Sequence, residues 1–257
     1  MTDPVPPTET PDAVSPEDEA PIQEPDVSAL TVMKDAIIAE ALPNIPFDGW
    51  SMEALKAGAQ MAGYDREAAQ TCFPKGAIDA IVHFCDLADR LMIADLHELM
   101  LEQPELRLHE RIRAAIRLRL SRWGGEKEAI RRASTILAMP GNIPTSLKVT
   151  YRTIDSMWFA AGDRSMDIAF YTKRLQLTGI YTATLFYWLE DHSEESVDSW
   201  AFLDRRLADV LKIHKARQQL EDRLRRLPLP IANPLEGLMR LRDGVSGLGR
   251  MRSMRMK

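Results

Sequence analysis

Residues Asp155 to Arg174 read Asp-Ser-Met-Trp-Phe-Ala-Ala-Gly-Asp-Arg-Ser-Met-Asp-Ile-Ala-Phe-Tyr-Thr-Lys-Arg. Gly162 is placed to close one helix, because glycine enters the left-handed conformation of a helix C-terminal cap at little cost, and Asp163 or Ser165 is placed to open the next. A helix hairpin is therefore expected. On its second helix Asp167, Phe170, Tyr171 and Arg174 fall at i, i+3, i+4 and i+7, so an acid, two aromatics and a cation share one stripe. A stripe of that composition suits a partner-binding surface.

Working outward, the apolar period stays helical from Ala29 onward, and no stretch alternates in the manner of a strand. Helices are expected at 29–41, 51–62, 66–71, 76–98, 105–123, 126–138, 145–161, 166–190 and 198–225. They are separated by Pro43, Pro46, Gly63, Pro74, Gly76, Pro104, Gly124, Gly125, Pro140, Gly141 and Gly162, which interrupt or cap helices. The fold class is all-α. Ser51 is a natural N-cap, and the short loop Gly63-Tyr64-Asp65 gives the first three helices the layout of a helix-turn-helix head. The longer helices behind it form a bundle with Ile154, Trp158, Leu175, Ile180, Leu185 and Trp188 among its expected buried residues.

The 257 residues give ample length for a core, and 45% hydrophobic with 28% charged residues is ordinary for a globular chain. The net charge of -5 hides three regions. Residues 1–27 hold eight acids, seven prolines and no Lys or Arg, a composition that cannot offset chain entropy by burial, so they read as a disordered tail. Residues 28–227 form the nearly neutral body, and 228–257 a linker followed by a basic helix. Cys72 and Cys85 lack metal or disulfide spacing. The acidic N-terminus has neither an apolar signal region nor the arginines of a transit peptide, so the expectation is a bacterial cytoplasmic protein. The uncharged run Leu175 to Leu189 is shorter than the roughly 20 residues that span a bilayer.

Chemistry finds little purchase. Repeated Glu-x-x-His pairs, which place two di-iron ligands on one helix face, do not occur in the sequence. His109-Glu110 lacks the second histidine of a zinc protease motif, so a surface ion pair is the simpler reading. His83 and Cys85 are two apart on one helix and face different ways, as core residues would. The serine of Gly244-Val-Ser246-Gly-Leu-Gly249 follows no strand, so it fits neither a nucleophile elbow nor a phosphate loop. No catalytic residue, metal or cofactor is expected. Nor is nucleic acid: between Ser51 and Lys75 three cations, Lys56, Arg66 and Lys75, are matched by Glu53, Asp65 and Glu67, whereas a DNA reader neutralises several phosphates.

Trp158, Ala161-Gly162-Asp163, Ser165, Asp167, Tyr171-Thr172 and Arg174 together resemble a signature of the ubiquinone-biosynthesis accessory proteins. These form a lipid-binding family with a TetR-regulator-like fold that works beside the demethoxyubiquinone hydroxylase. Gly49-Trp50-Ser51, Phe73-Pro74-Lys75-Gly76, Leu137-Ala-Met-Pro140 and Asn142-Ile143-Pro144 fit the same family, so the resemblance covers about residues 30 to 225. Phe170 and Lys173 depart from its usual tryptophan and arginine. The resemblance implies a TetR-like bundle and a homodimer. It also implies a partner patch of Met157, Asp167, Phe170, Tyr171 and Arg174 facing the di-iron hydroxylase.

Helix 166–190 is apolar almost all round after Arg174, with small residues at Thr178, Gly179, Thr182 and Ala183. Its residues alone favour a solid core. The resemblance instead implies a cavity for an isoprenoid lipid or quinone intermediate, beside Trp158, Leu175, Thr178, Thr182 and Leu185. After Pro228 and Pro230, Asn233-Pro234-Leu235-Glu236 starts a last helix well, with an N-cap, an N1 proline and an N3 acid. Leu235, Leu238, Met239, Leu241, Val245 and Leu248 make it amphipathic, and Arg240, Arg242, Arg250, Arg252, Arg255 and Lys257 make it basic. Such a helix suits a membrane surface bearing anionic lipid. The expected function is a non-catalytic accessory protein, peripheral on a bacterial inner membrane, that presents a quinone intermediate to the hydroxylase. The alternative is a TetR-type repressor that senses a lipid.

Overall fold

The computed structural model describes the backbone of residues 28–163 and 168–226, and the side chains of 28–163, 171–210 and 212. Every regular element among the described residues is helical. Among the described residues ten α-helices run in order: α1 Ala29–Ala41, α2 Ile45–Asp48, α3 Met52–Met61, α4 Ala68–Cys72, α5 Ala77–Glu102, α6 Leu108–Ser121, α7 Lys127–Leu137, α8 Ile143–Ala160, α9 Ile168–Glu190 and α10 Val197–Arg226. The chain divides into two compact units, residues 1–174 and 175–257. The acidic tail 1–27 and the segment 228–257 lie outside the described residues.

Local chemistry sets most boundaries. Ser51 caps α3 as expected, its hydroxyl accepting the Ala54 N–H at 3.1 Å. Helix α3 ends at Gly63, whose φ of +83° lets the N–H of Tyr64 reach back to the Ala59 carbonyl at 2.9 Å. The extra helix α2 follows from Pro46 near its first turn, where a missing N–H costs nothing. Helix α5 runs four residues past the expected 98, since nothing interrupts it before Pro104.

In the first unit α1 packs on α3, and α5 packs on α6 and α8. Ile37, Ile38, Leu55, Phe73 and Ile81 are fully buried in one core. Trp50 joins α7 to it by donating its indole N–H to the Ala129 carbonyl at 2.9 Å, with its ring 5.7 Å from that of Phe84. A second, polar layer lies between α5, α6 and α8. Asp89, nearly inaccessible to solvent, accepts from Arg119 Nε at 2.8 Å and from the Thr153 hydroxyl at 3.0 Å, and it lies 3.5 Å from Arg152 Nε. A buried carboxylate persists only with partners of this kind.

In the second unit Asp191 organises the turn between α9 and α10. Its carboxylate accepts from the backbone and hydroxyl of both Ser193 and Ser199. Burial acts to raise its pKa, but these hydrogen bonds outweigh that and hold it well below the usual carboxylate range. The turn carries left-handed backbone at Glu195 and Ser196, and the Glu195 carbonyl accepts the Trp200 indole N–H at 2.8 Å. The folded-state pKa lies below the unfolded value of about 3.9, so the stabilisation is complete above that pH and lost as pH falls below it. Asp191→Asn is expected to cost about 1–3 kcal/mol at neutral pH. The gap from wild type should close as unfolding is measured at successively lower pH, and a gap independent of pH would remove the carboxylate from this account.

Candidate functional site

The hairpin expected from the sequence is present up to the described limit of α8. Gly162 has φ +89°, its N–H donates to the Phe159 carbonyl at 3.0 Å, and that of Asp163 donates to the Trp158 carbonyl at 3.0 Å. Those two bonds are the paired closure of a helix that ends on a left-handed glycine. Residues 164–167, Ser165 among them, lie outside the described residues. Asp167 lies there too, and the side chain of Phe170 is likewise outside the description.

Tyr171 stands in solvent, 72% exposed. The other two described members of the expected patch do not. Met157 has no accessible surface and belongs to the interior, so it offers no area to a partner. Arg174 is also buried, with Nε 2.8 Å and Nη2 2.7 Å from Asp155 Oδ1. Beside it, Lys173 Nζ lies 3.2 Å from Asp163 and 5.7 Å from the centre of the Trp158 ring. The sequence pattern gives Asp155 no role and gives Asp163 only that of opening the next helix. A hairpin centred near residue 164 puts 155 opposite 174, and that symmetry was the available signal.

The expected lipid-lining residues divide. Leu175, expected to be buried, is 75% exposed and cannot wall an interior cavity from that position. Thr178, Thr182 and Leu185 are half-buried. Trp158 is half-buried as well, with a sequestered indole N–H that has no hydrogen-bond partner among the described residues. Ile154, Ile180 and Trp188 are buried as expected. The membrane-facing set Leu235, Leu238, Met239, Leu241, Val245 and Leu248 lies outside the described residues. Additional apolar side chains stand exposed on α8: Ile143, Leu147 and Tyr151 at four-residue intervals, and Phe159 near its end.

The nucleophilic and titratable groups singled out in the sequence are placed for packing. Burial pushes the thiols of Cys72 and Cys85 up, away from the thiolate that a nucleophile requires. His83 Nε2 contacts Asp35 at 2.7 Å, and burial pulls its pKa below the ordinary value despite that carboxylate. Glu110 accepts the Arg107 backbone N–H at 2.8 Å, which makes it a helix-start residue. Among the described residues, no three His, Cys, Asp or Glu side chains stand close enough together to hold a metal. No described helix is long and apolar enough to cross a membrane.

In the head, Arg66 donates to Glu53 at 3.1 Å and Gln60 at 3.3 Å, and Lys56 to Glu67 at 3.2 Å. Two of the three cations between Ser51 and Lys75 are thus paired within the head. The arrangement of helices is a TetR-regulator-like fold. A solved TetR transcriptional regulator from Nitrosomonas europaea shares the fold, with a TM-score of 0.56 and 23% identity over 69% of this chain and 97% of that one.

Sequence comparison narrows the class. The COQ9 family model matches residues 143–214, which include the whole hairpin. The human ubiquinone biosynthesis protein COQ9, mitochondrial, is 34% identical over 76% of this chain and 63% of its own length. Protein COQ9-B of Xenopus laevis is 31% identical over 79% of this chain and 71% of its own. The chain belongs to the COQ9 family. It spans a little under two thirds of the human relative's length. One expectation is overturned here: location in the cytoplasm and on the inner membrane of a bacterium conflicts with relatives that are named mitochondrial. It rested on the composition of residues 1–27 and on the basic segment 233–257, both of which lie outside the described residues.

Proposed function

We propose that this chain is a non-catalytic accessory protein of ubiquinone biosynthesis. In this reading it binds an isoprenoid quinone intermediate at a membrane surface and presents it to the di-iron demethoxyubiquinone hydroxylase. Family membership supports the pathway, because the relatives are named ubiquinone biosynthesis proteins. The observation that carries the partner role is Tyr171, a large aromatic exposed to solvent next to Lys173 and Arg174, which are tied to Asp163 and Asp155. An isoprenoid tail is insoluble in water while its ring must reach the partner's metal, so sheltering one and positioning the other has physical value. The basic amphipathic segment 233–257 is the proposed membrane contact, and a homodimer the proposed assembly.

Mass spectrometry of lipid extracted from protein purified without detergent tests the cargo. An isoprenoid quinone intermediate in near-stoichiometric amount is expected, and protein that is folded yet free of isoprenoid lipid would overturn the reading. The repressor alternative shares the fold but meets a head whose cations Arg66 and Lys56 are already paired. Its mark would be a salt-sensitive shift of the chain's own upstream DNA.

A further inference from the structure

We propose that Asp155 is a positioning residue for the partner surface. Its ion pair with Arg174 holds the first turns of α9 against α8 at the rotation that presents Tyr171 to the hydroxylase. This rests on the reading that Tyr171 contacts that enzyme. Read along the sequence, Arg174 shares a stripe with Tyr171 and looks like a partner contact. In the structure its guanidinium is turned under, with Nε and Nη2 both within 2.8 Å of Asp155 Oδ1. Asp155 itself is half-exposed on α8, whereas the arginine is almost wholly covered. Lys173 makes a second strap, to Asp163 at the cap of α8 and over the Trp158 ring.

Two neighbouring cations on α9 are therefore anchored to acids in or just after α8, one on either side of the Met157-Trp158 step. A helix strapped at two points around its circumference cannot roll about its axis. Tyr171, one turn before Arg174, is thereby fixed in direction before any partner arrives. Fixing a binding side chain in advance removes ordering cost from association. Freeing it should weaken binding by roughly tenfold, or about 1.4 kcal/mol.

Two measurements on the full chain decide the matter. Amide hydrogen exchange of Asp155→Asn, with no partner present, should quicken in residues 168–178 while the core helices α1, α3 and α5 keep wild-type protection. Unchanged exchange in that segment would overturn the strut. Affinity for the purified hydroxylase should fall roughly tenfold in Asp155→Asn and in Arg174→Gln, and no further in the double variant, while Asp155→Glu restores most of it. If Arg174 were itself a contact, releasing it through Asp155→Asn would leave affinity unchanged or tighter, and that result would also overturn the proposal. Failure of the wild-type chain to bind the hydroxylase would sink the partner reading separately, and the exchange experiment still judges the strut.

Discussion

Replacing Tyr171 by alanine is expected to weaken capture of the di-iron hydroxylase by about thirtyfold or more, with the melting temperature unchanged. A solvent-facing tyrosine brings large amphipathic contact area with few rotatable bonds, and such anchors typically cost about 2 kcal/mol or more when truncated. Stability should hold because the side chain is 72% exposed, and substitutions at such sites usually change folding by less than about 0.5 kcal/mol. Tyr151→Ala, at an exposed tyrosine on α8, provides the control and should leave capture intact. Unchanged capture by Tyr171→Ala would remove the residue from the interface. A fall of many degrees in melting temperature would show instead that the ring supports the fold.

The second large effect is expected at Gly58. A Cβ added there would lie 2.6 Å from the Ile37 carbonyl oxygen, 2.9 Å from the Ala41 nitrogen and 2.8 Å from the Ala41 methyl. Two of those atoms are backbone, so relief requires α1 and α3 to move apart within the core of the first unit. Gly58→Ala should therefore lose about 1–3 kcal/mol, the usual cost of overpacking, despite the helix propensity it gains. Gly179 reverses the sign. It lies inside α9 and a Cβ there meets nothing within 4 Å among the described residues, so Gly179→Ala should stabilise by about 0.5–1 kcal/mol. Chemical denaturation of both variants checks the pair. Equal effects would refute the close α1–α3 approach at Gly58.

Much of the helical layout was legible because punctuation residues act locally. Gly162 and Gly63 each close a helix by the same left-handed geometry, and Ser51 caps with its own hydroxyl, so neighbours a few residues away suffice to place them. Helix α1 matches its expected span, and α3 is within one residue at each end. The misses also have local causes: Pro46 permits the short α2 at a place read as a break, and α5 continues through residues that contain no interruption before Pro104.

The candidate site was less readable. Helix α9 from Leu175 to Leu189 carries no formal charge, so no polar face marks which side meets solvent. Leu175 was accordingly placed inside, and it stands outside. Met157 was placed on the surface by resemblance alone, and it lies in the interior.

The order of helices, the hairpin at Gly162, the neutral head and the aromatic pair at 170–171 were determined by the amino-acid sequence itself, since each depends on backbone preference and side-chain spacing over less than two turns. Tertiary structure alone decided that Arg174 turns inward to Asp155, that Tyr171 remains in water, and that Asp89 is buried among Arg119, Arg152 and Thr153. The physical reason is the range of the forces involved. Capping and propensity act within a few residues, whereas the direction of a cation is settled by whichever acid a distant helix brings within reach.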